Sequence, residues 1–142
     1  MMRTLPALLL AVAVGAAAAD PWHRQDAGGL LTPDQAFQLM PVEAHGQTLR
    51  IEWEVAPGYY MYLNRLKFEA TGLEPGNAQL PAGEKHHDEH FGDVEIFRAG
   101  TLVARLPVST VPQKIKLTYQ GCAEIGVCLP PQIRVVDVTP VP

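Results

Sequence analysis

The chain has 142 residues, with 11 Lys and Arg against 15 Asp and Glu, which gives a formal net charge of −4. A mildly acidic chain without a basic cluster is a poor candidate for binding nucleic acid or an anionic membrane surface. Its length is enough for one domain with its own core, but not for two. The two cysteines and five histidines are therefore the residues whose chemistry has to be weighed.

The first nineteen residues have the layout of a secretory signal peptide. Residues 1–4 are weakly basic, residues 5–14 are apolar apart from Pro6, and residues 15–19 offer an A-x-A cleavage site. The apolar run is too short to cross a bilayer, because a spanning helix needs about 20 apolar residues. We therefore predict a cleaved signal peptide at residues 1–19 and a soluble, exported domain at residues 20–142.

Strand patterns dominate the rest of the chain, after a single predicted helical turn at residues 33–37. Residues 47–55 alternate apolar and polar side chains, which is typical of a half-buried antiparallel strand. Breakers such as Pro57-Gly58 and Ala99-Gly100 separate the strands. Short strands at this spacing predict one all-β domain, an antiparallel β-sandwich. The predicted strands are residues 38–44, 47–55, 65–70, 94–98, 101–108, 114–119 and 132–138.

The two cysteines, Cys122 and Cys128, lie in the connection between the last two predicted strands, near the surface. Gly121 and Gly126 permit the tight backbone that brings two cysteines within bonding range. A cysteine pair in an exported protein is usually a permanent bridge, and a loop of about seven residues would stabilise by about 2–2.5 kcal/mol. Bridges that stabilise immunoglobulin-like sandwiches, however, join cysteines far apart in sequence. The pattern alone leaves a structural bridge and a redox site equally open.

Four motifs follow one another along the chain: P-D-Q-A-F at residues 33–37, G-Y-Y-M-Y at 58–62, D-E-H-F-G at 88–92 and Y-Q-G-C-A-E at 119–124. In this order they resemble the N-terminal periplasmic domain of DsbD, the thiol:disulfide interchange protein. The resemblance covers nearly the whole predicted domain and favours a redox site over a structural bridge. It implies an immunoglobulin-like fold and a cysteine pair that cycles between dithiol and disulfide.

The resemblance also implies roles for individual residues. Cys128 is expected to form the mixed disulfide with a partner, and Cys122 to resolve it. Tyr60, Tyr62 and Glu124 are expected to frame the site, although two tyrosines in a strand are also ordinary core aromatics. The sequence has no C-x-x-C at a helix start, and a carboxylate at Glu124 would raise a thiol pKa, so we expect thiols that are activated on docking. No cofactor and no metal ligand are implied.

The residues Asp88, Glu89, His90, Phe91 and Gly92 resemble the cap loop of that domain, in which an aromatic ring covers the cysteines until a partner displaces it. The usual aromatic position here carries His90, with Phe91 next to it. Either side chain is a candidate for the shield, and shielding by a histidine would depend on pH.

The partners implied by the resemblance are thioredoxin-fold proteins of the periplasm. They comprise a disulfide isomerase, a cytochrome c maturation thioredoxin and a donor similar to the C-terminal domain of DsbD, which a membrane electron-transfer protein would recharge in trans. We expect a monomeric protein-disulfide reductase module in the periplasm, with the direction of electron flow left open.

Two other functions remain open. A non-catalytic immunoglobulin-like binding module would keep a fixed disulfide, and its reduction potential would lie below about −300 mV. A periplasmic metal carrier would use the imidazoles of His86, His87 and His90, which suit copper or zinc. Histidines in an exposed acidic loop are, however, usually just solvated.

Overall fold

The computed structural model describes residues 29–73 and 77–142, so the predicted signal peptide and the expected start at Asp20 lie outside the described residues. None of the helices in the described part is long and apolar enough to cross a membrane. The elements are α1 (Pro33–Ala36), β1 (Phe37–Leu39), β2 (Val42–His45), β3 (Thr48–Tyr62), a 3-10 helix (Leu63–Arg65), β4 (Lys67–Glu69), β5 (Glu84–Asp88), β6 (Gly92–Pro107), β7 (Lys114–Tyr119), β8 (Gly121–Ala123), β9 (Val127–Cys128) and β10 (Gln132–Val141).

The strands form two layers that share β10. The first part of β10 pairs antiparallel with β7, which also pairs with β4, and its last four residues pair parallel with β2. From β2 the other layer continues through β3 and β6 to β5 at its edge. The predicted all-β sandwich is confirmed, and the β10–β2 ladder is the one parallel pairing among the described strands.

The core lies between the two layers. The alternation predicted for residues 47–55 holds in β3, where Leu49, Ile51 and Trp53 are fully buried. The ring centroid of Trp53 lies 6.5 Å from that of Phe68 on β4 and 5.5 Å from that of Tyr119 on β7. Since each buried large apolar side chain contributes roughly 1.5–3 kcal/mol, this interlayer contact stabilises the whole scaffold.

Two predicted strand breaks are bulges within long strands. The pairing of β3 with β6 shifts register between Val55 and Tyr60, and Val55 faces Gly100 across the ladder. Gly58 and Gly100 adopt φ angles of 81° and 126°, which other residues rarely adopt. The strand predicted at 47–55 therefore continues to Tyr62, and those predicted at 94–98 and 101–108 are both parts of β6.

The edge strand β5 was not predicted. Its residues, Glu84–Asp88, are polar and show no apolar alternation, as is common for edge strands that are kept from pairing with other chains. This strand carries His86 and His87, which were expected in a loop.

Candidate active site at the cysteine hairpin

The two cysteines face each other in a small hairpin. Cys122 on β8 and Cys128 on β9 are paired residues in this ladder, their Cα atoms lie 3.9 Å apart, and their sulfurs are bonded. β8 packs directly against β3, because a Cβ atom at Gly121 would stand 2.2 Å from the carbonyl oxygen of Tyr60. Gly126 forms the turn with a φ of 98°. Gly126 therefore provides the tight turn predicted between the cysteines, whereas Gly121 allows β8 to pack against β3.

The two sulfurs have different surroundings. Cys122 is 0% exposed and packs in a small apolar cluster with Tyr60, Tyr62 and other buried residues. Cys128 is exposed to solvent. The expectation that the pair lies near the surface is thus correct for Cys128 only, and a reagent from outside can reach the bond from one side.

The outer half of β3 supplies the site with its aromatic residues. Side chains alternate along a strand, so Tyr59 and Met61 point into the main core, whereas Tyr60 and Tyr62 lie on the opposite face with Cys122. The rings of Tyr60 and Tyr62 meet edge to face, with their centroids 5.6 Å apart. Both tyrosines therefore line the cysteine site, where the sequence had predicted them.

A buried phenol–carboxylate pair lies behind the disulfide. The hydroxyl of Tyr62 donates to Oδ2 of Asp88 and lies 3.0 Å from the sulfur of Cys122 and 3.7 Å from that of Cys128. The backbone N–H groups of His90 (2.7 Å) and Phe91 (3.0 Å) donate to Oδ1 of Asp88. Asp88 is only 6% exposed, so these three donors hold its carboxyl group in one orientation.

The pair also has perturbed protonation. Burial, with the hydrogen bond to Asp88, raises the pKa of Tyr62 well above its usual value. The hydrogen bond from Tyr62 lowers the pKa of Asp88, with help from the two backbone donors. At neutral pH the site therefore holds a neutral phenol and a carboxylate. A negative charge at this position opposes the formation of thiolates when the cysteines are reduced.

Glu124 lines the cleft that contains Cys128, and its carboxylate is engaged by a cation. Its carboxylate pairs with the guanidinium of Arg98 on β6, which also donates from Nε to Glu84 on β5 at 2.8 Å. The carboxylate beside the sulfurs is instead that of Asp88. Arg98 connects the turn of the cysteine hairpin to the edge strand, and sequence reasoning missed it because it lies 26 residues from Glu124.

The predicted cap loop is the turn between β5 and β6. Asp88 is not part of it but is the last residue of β5, and Gly92 opens β6 with a φ of 71°. The ring of Phe91 is half-buried 5.4 Å from the ring of Tyr62, and the guanidinium of Arg65 lies 3.7 Å from its centroid. Phe91 thus covers the buried side of the site.

The exposed side of the site is an open cleft. Glu89 and His90 are exposed, and both line this cleft together with Cys128, which is itself exposed. In this conformation neither candidate shield buries Cys128. The cleft has a volume of about 300 Å³, and its lining includes Tyr60, His86, Asp88, Arg98, Glu124 and Cys128.

The three histidines proposed as metal ligands do not converge. The ring of His86 packs 5.3 Å from the ring of Tyr60, and Nδ1 of His87 lies 2.8 Å from the carboxylate of Asp93. Within residues 29–73 and 77–142, the one group of potential metal ligands is Asp88, Cys122 and Cys128, whose ligand atoms lie within 4.8 Å of one another.

Comparison with known proteins gives consistent matches. Residues 27–140 match the family described as "Thiol:disulfide interchange protein DsbD, N-terminal". DsbD of Vibrio cholerae is 42% identical over 109 residues, which cover 75% of this chain and 18% of that protein. DsbD 1 of Pseudomonas aeruginosa is 36% identical over 151 residues, which cover 97% of this chain and 25% of that protein. The chain thus spans no more than a quarter of the length of these relatives.

Two solved structures have a similar fold. The reduced N-terminal domain of Neisseria meningitidis DsbD matches with a TM-score of 0.68 and 31% identity over 78% of this chain and 90% of that chain. The same domain in its complex with the N-terminal domain of PilB matches with a TM-score of 0.61 and 33% identity over 78% and 88% of the two chains. The immunoglobulin-like fold expected from the sequence is confirmed by these matches.

Proposed function

Because this chain belongs to the family of DsbD N-terminal domains, we propose that it carries out thiol–disulfide interchange through the Cys122–Cys128 bond. The observation that carries the proposal is the asymmetry of the bond, with one sulfur exposed in a cleft and the other buried beside Tyr62. A fixed structural bridge has no need of an accessible sulfur. Interchange requires one, because the attacking thiolate must approach it from outside.

The exposure of the two sulfurs supports a division of roles. In the reduced protein, the thiolate of Cys128 attacks a partner disulfide, forms a mixed disulfide and releases one partner thiolate. The thiol of Cys122 then loses its proton and attacks the sulfur of Cys128, which releases the second partner thiolate and closes the bond. Two electrons pass to the partner, and the reverse sequence of steps recharges the domain.

The Tyr62–Asp88 pair suits the proton transfer at Cys122. Since the hydroxyl of Tyr62 donates to Asp88, its oxygen is free to accept the S–H of a reduced Cys122. The carboxylate also keeps the reduced pair protonated between encounters, which slows its oxidation by small molecules. Docking would move the turn that carries His90 and Phe91 and open the site.

The partners we propose are thioredoxin-fold proteins, including a disulfide isomerase, a cytochrome c maturation thioredoxin and a donor domain that a membrane protein recharges in trans. The Neisseria domain forms a complex with the N-terminal domain of PilB, which supports the proposal that this chain also recognises another protein domain. Ile125 and Val127, on the cysteine hairpin, are 80% and 40% exposed and provide an apolar contact next to Cys128. The signal-like residues 1–19 support a location in the periplasm, where we propose that the domain works as a monomer.

The experiment compares two single-cysteine variants with a purified, oxidised periplasmic disulfide isomerase. Cys122→Ser leaves the exposed thiol and should accumulate a one-to-one mixed disulfide. The matched control, Cys128→Ser, leaves only the buried thiol and should accumulate little. Equal yields from both variants, or a wild-type reduction potential below about −300 mV, would contradict the proposal and favour a fixed bridge.

A further inference from the structure

The reduced cysteine pair has a third potential ligand beside it. The carboxylate of Asp88 offers an oxygen within 4.8 Å of the sulfurs of Cys122 and Cys128. In a tetrahedral zinc site, metal–sulfur bonds of about 2.3 Å and metal–oxygen bonds of about 2.1 Å place neighbouring ligand atoms about 3.6–3.8 Å apart. Reduction breaks the sulfur–sulfur bond and lets the two sulfurs separate to such a distance. Because the carboxylate oxygen already lies within 4.8 Å of both sulfurs, it has to approach each of them by no more than about 1.2 Å to share one ion.

We propose that the reduced domain binds one zinc-class divalent cation through Cys122, Cys128 and Asp88, with water from the cleft as the fourth ligand. Two thiols lose their protons as the ion binds, and no electrons are transferred. Oxidation of the pair by a partner disulfide, which takes up the two electrons and leaves as two thiols, removes both thiolates and releases the ion. The inference extends beyond interchange, because it requires only that the two cysteines be reduced.

The carboxylate is oriented as a metal ligand would be. Ligating carboxylates are themselves held by hydrogen bonds, and these outer contacts strengthen the site. Asp88 receives three such bonds, from the hydroxyl of Tyr62 and the backbone N–H groups of His90 and Phe91. A carboxylate has about four lone-pair positions, so one remains for an ion.

The surroundings also favour a cation. Arg98 lines the same cleft, but its guanidinium is already paired with Glu84 and Glu124. Two thiolates and a carboxylate together carry three negative charges, of which a dication compensates two. The exposed sulfur of Cys128 gives the ion a route into the site from the cleft.

Metal binding would make the reduced domain inert. A thiolate bound to zinc is not free to attack a disulfide, so the ion would protect the dithiol from oxidation and also inhibit exchange. The metal ligands then come from three separate segments of the chain, β5, β8 and β9, rather than from the histidines proposed from sequence.

The test is a zinc titration of the chemically reduced protein, freed of reductant, against a chromophoric chelator. We expect one ion per reduced chain, two protons released, and no comparable binding by the oxidised protein. Asp88→Asn should weaken binding by about tenfold or more, since the loss of an outer-shell contact alone costs 10–100-fold. The matched control, Asp93→Asn, removes a carboxylate that is 95% exposed on the same β-hairpin and should change the affinity less than about twofold.

Equal affinity in Asp88→Asn and Asp93→Asn, or equal binding by the oxidised and reduced proteins, would overturn the inference. Equal binding by the oxidised and reduced proteins would indicate that the ion binds to the histidines rather than to the cysteines. Cys128→Ser provides an independent loss of binding in case Asp88→Asn does not fold. Exchange with a partner is measured separately in the presence of chelator, so a domain that exchanges disulfides without binding zinc refutes only this inference.

Discussion

Reduction of the disulfide should weaken the domain only modestly and leave it folded. The cysteines are six residues apart, so the bond closes a loop of seven residues. For such a loop, the chain-entropy relation gives a stabilisation of about 2.4 kcal/mol at 25 °C. Cys122 also belongs to a separate cluster from the one around Trp53 that joins the two layers. A domain of this size usually has about 5–15 kcal/mol of stability, so it remains folded when this contribution is lost.

The measurement is urea unfolding of the oxidised and reduced proteins, followed by a thermal melt of each. A loss of about 2.4 kcal/mol corresponds to a decrease in Tm of roughly 7–14 °C for a domain of this length. The double variant Cys122→Ala/Cys128→Ala is the control. It should unfold close to the reduced protein and should not respond to added reductant.

One result would refute this reasoning. If the reduced chain unfolds, or loses more than about 5 kcal/mol, the bond carries more stability than its short loop explains. The disulfide would then be a structural bridge, and a protein that opens it in every reaction cycle would lose its fold each time.

Three further predictions concern single positions. Gly121→Ala should lower the free energy of unfolding in urea by about 1–3 kcal/mol or more, because its Cβ would meet the β3 backbone. Gly126→Ala faces open space and should lower it by about 1 kcal/mol through backbone strain alone. A larger loss at Gly126 than at Gly121 would contradict the packing of β8 against β3. Because the pKa of Asp88 is lowered in the folded protein, its carboxylate stabilises the fold above its ordinary pKa of 3.8, and this contribution is lost as the pH falls through the lowered pKa. Between pH 6 and pH 2, the Asp88→Asn variant should therefore lose less stability than the wild type. Cys128 is open to solvent in this conformation, but Phe91 packs against Tyr62 beside the buried sulfur of Cys122. Replacing both His90 and Phe91 with alanine should therefore speed oxidation of the thiols by a small oxidant, and an unchanged rate would exclude a cap.

The strands that sequence predicted best are those in the middle of the layers. The alternation in β3 and in β7 follows burial, because one face of each strand contacts the core. Pro57-Gly58 and Ala99-Gly100 were interpreted as strand ends because each pair is a local turn signal. In the structure the two signals belong to neighbouring strands near the same register shift, where Val55 faces Gly100. Such a shared bulge depends on pairing between segments more than 40 residues apart, which a local pattern does not contain.

The sequence identified the cysteines of the site, but it placed Asp88 in the cap loop rather than beside the sulfurs. Asp88 lies in a motif that suggested a surface loop, and its burial follows only when the β5–β6 turn packs against β3. Glu124 is adjacent to the cysteines in sequence, yet its charge is taken up by Arg98 from another strand. Sequence proximity therefore indicated one carboxylate near the cysteines, whereas Asp88 is brought beside them by pairing between distant strands.

The two faces of β3 separate stability from reactivity. Leu49, Ile51 and Trp53 on one face join the layers, whereas Tyr60 and Tyr62 on the other face contact the cysteine hairpin outside that core. The groups in direct contact with the bond therefore belong to the hairpin and the outer part of β3, and not to the packing between the layers. A partner that distinguishes the oxidised from the reduced domain must do so at this hairpin, because the packing between the layers contains no group that changes with the redox state.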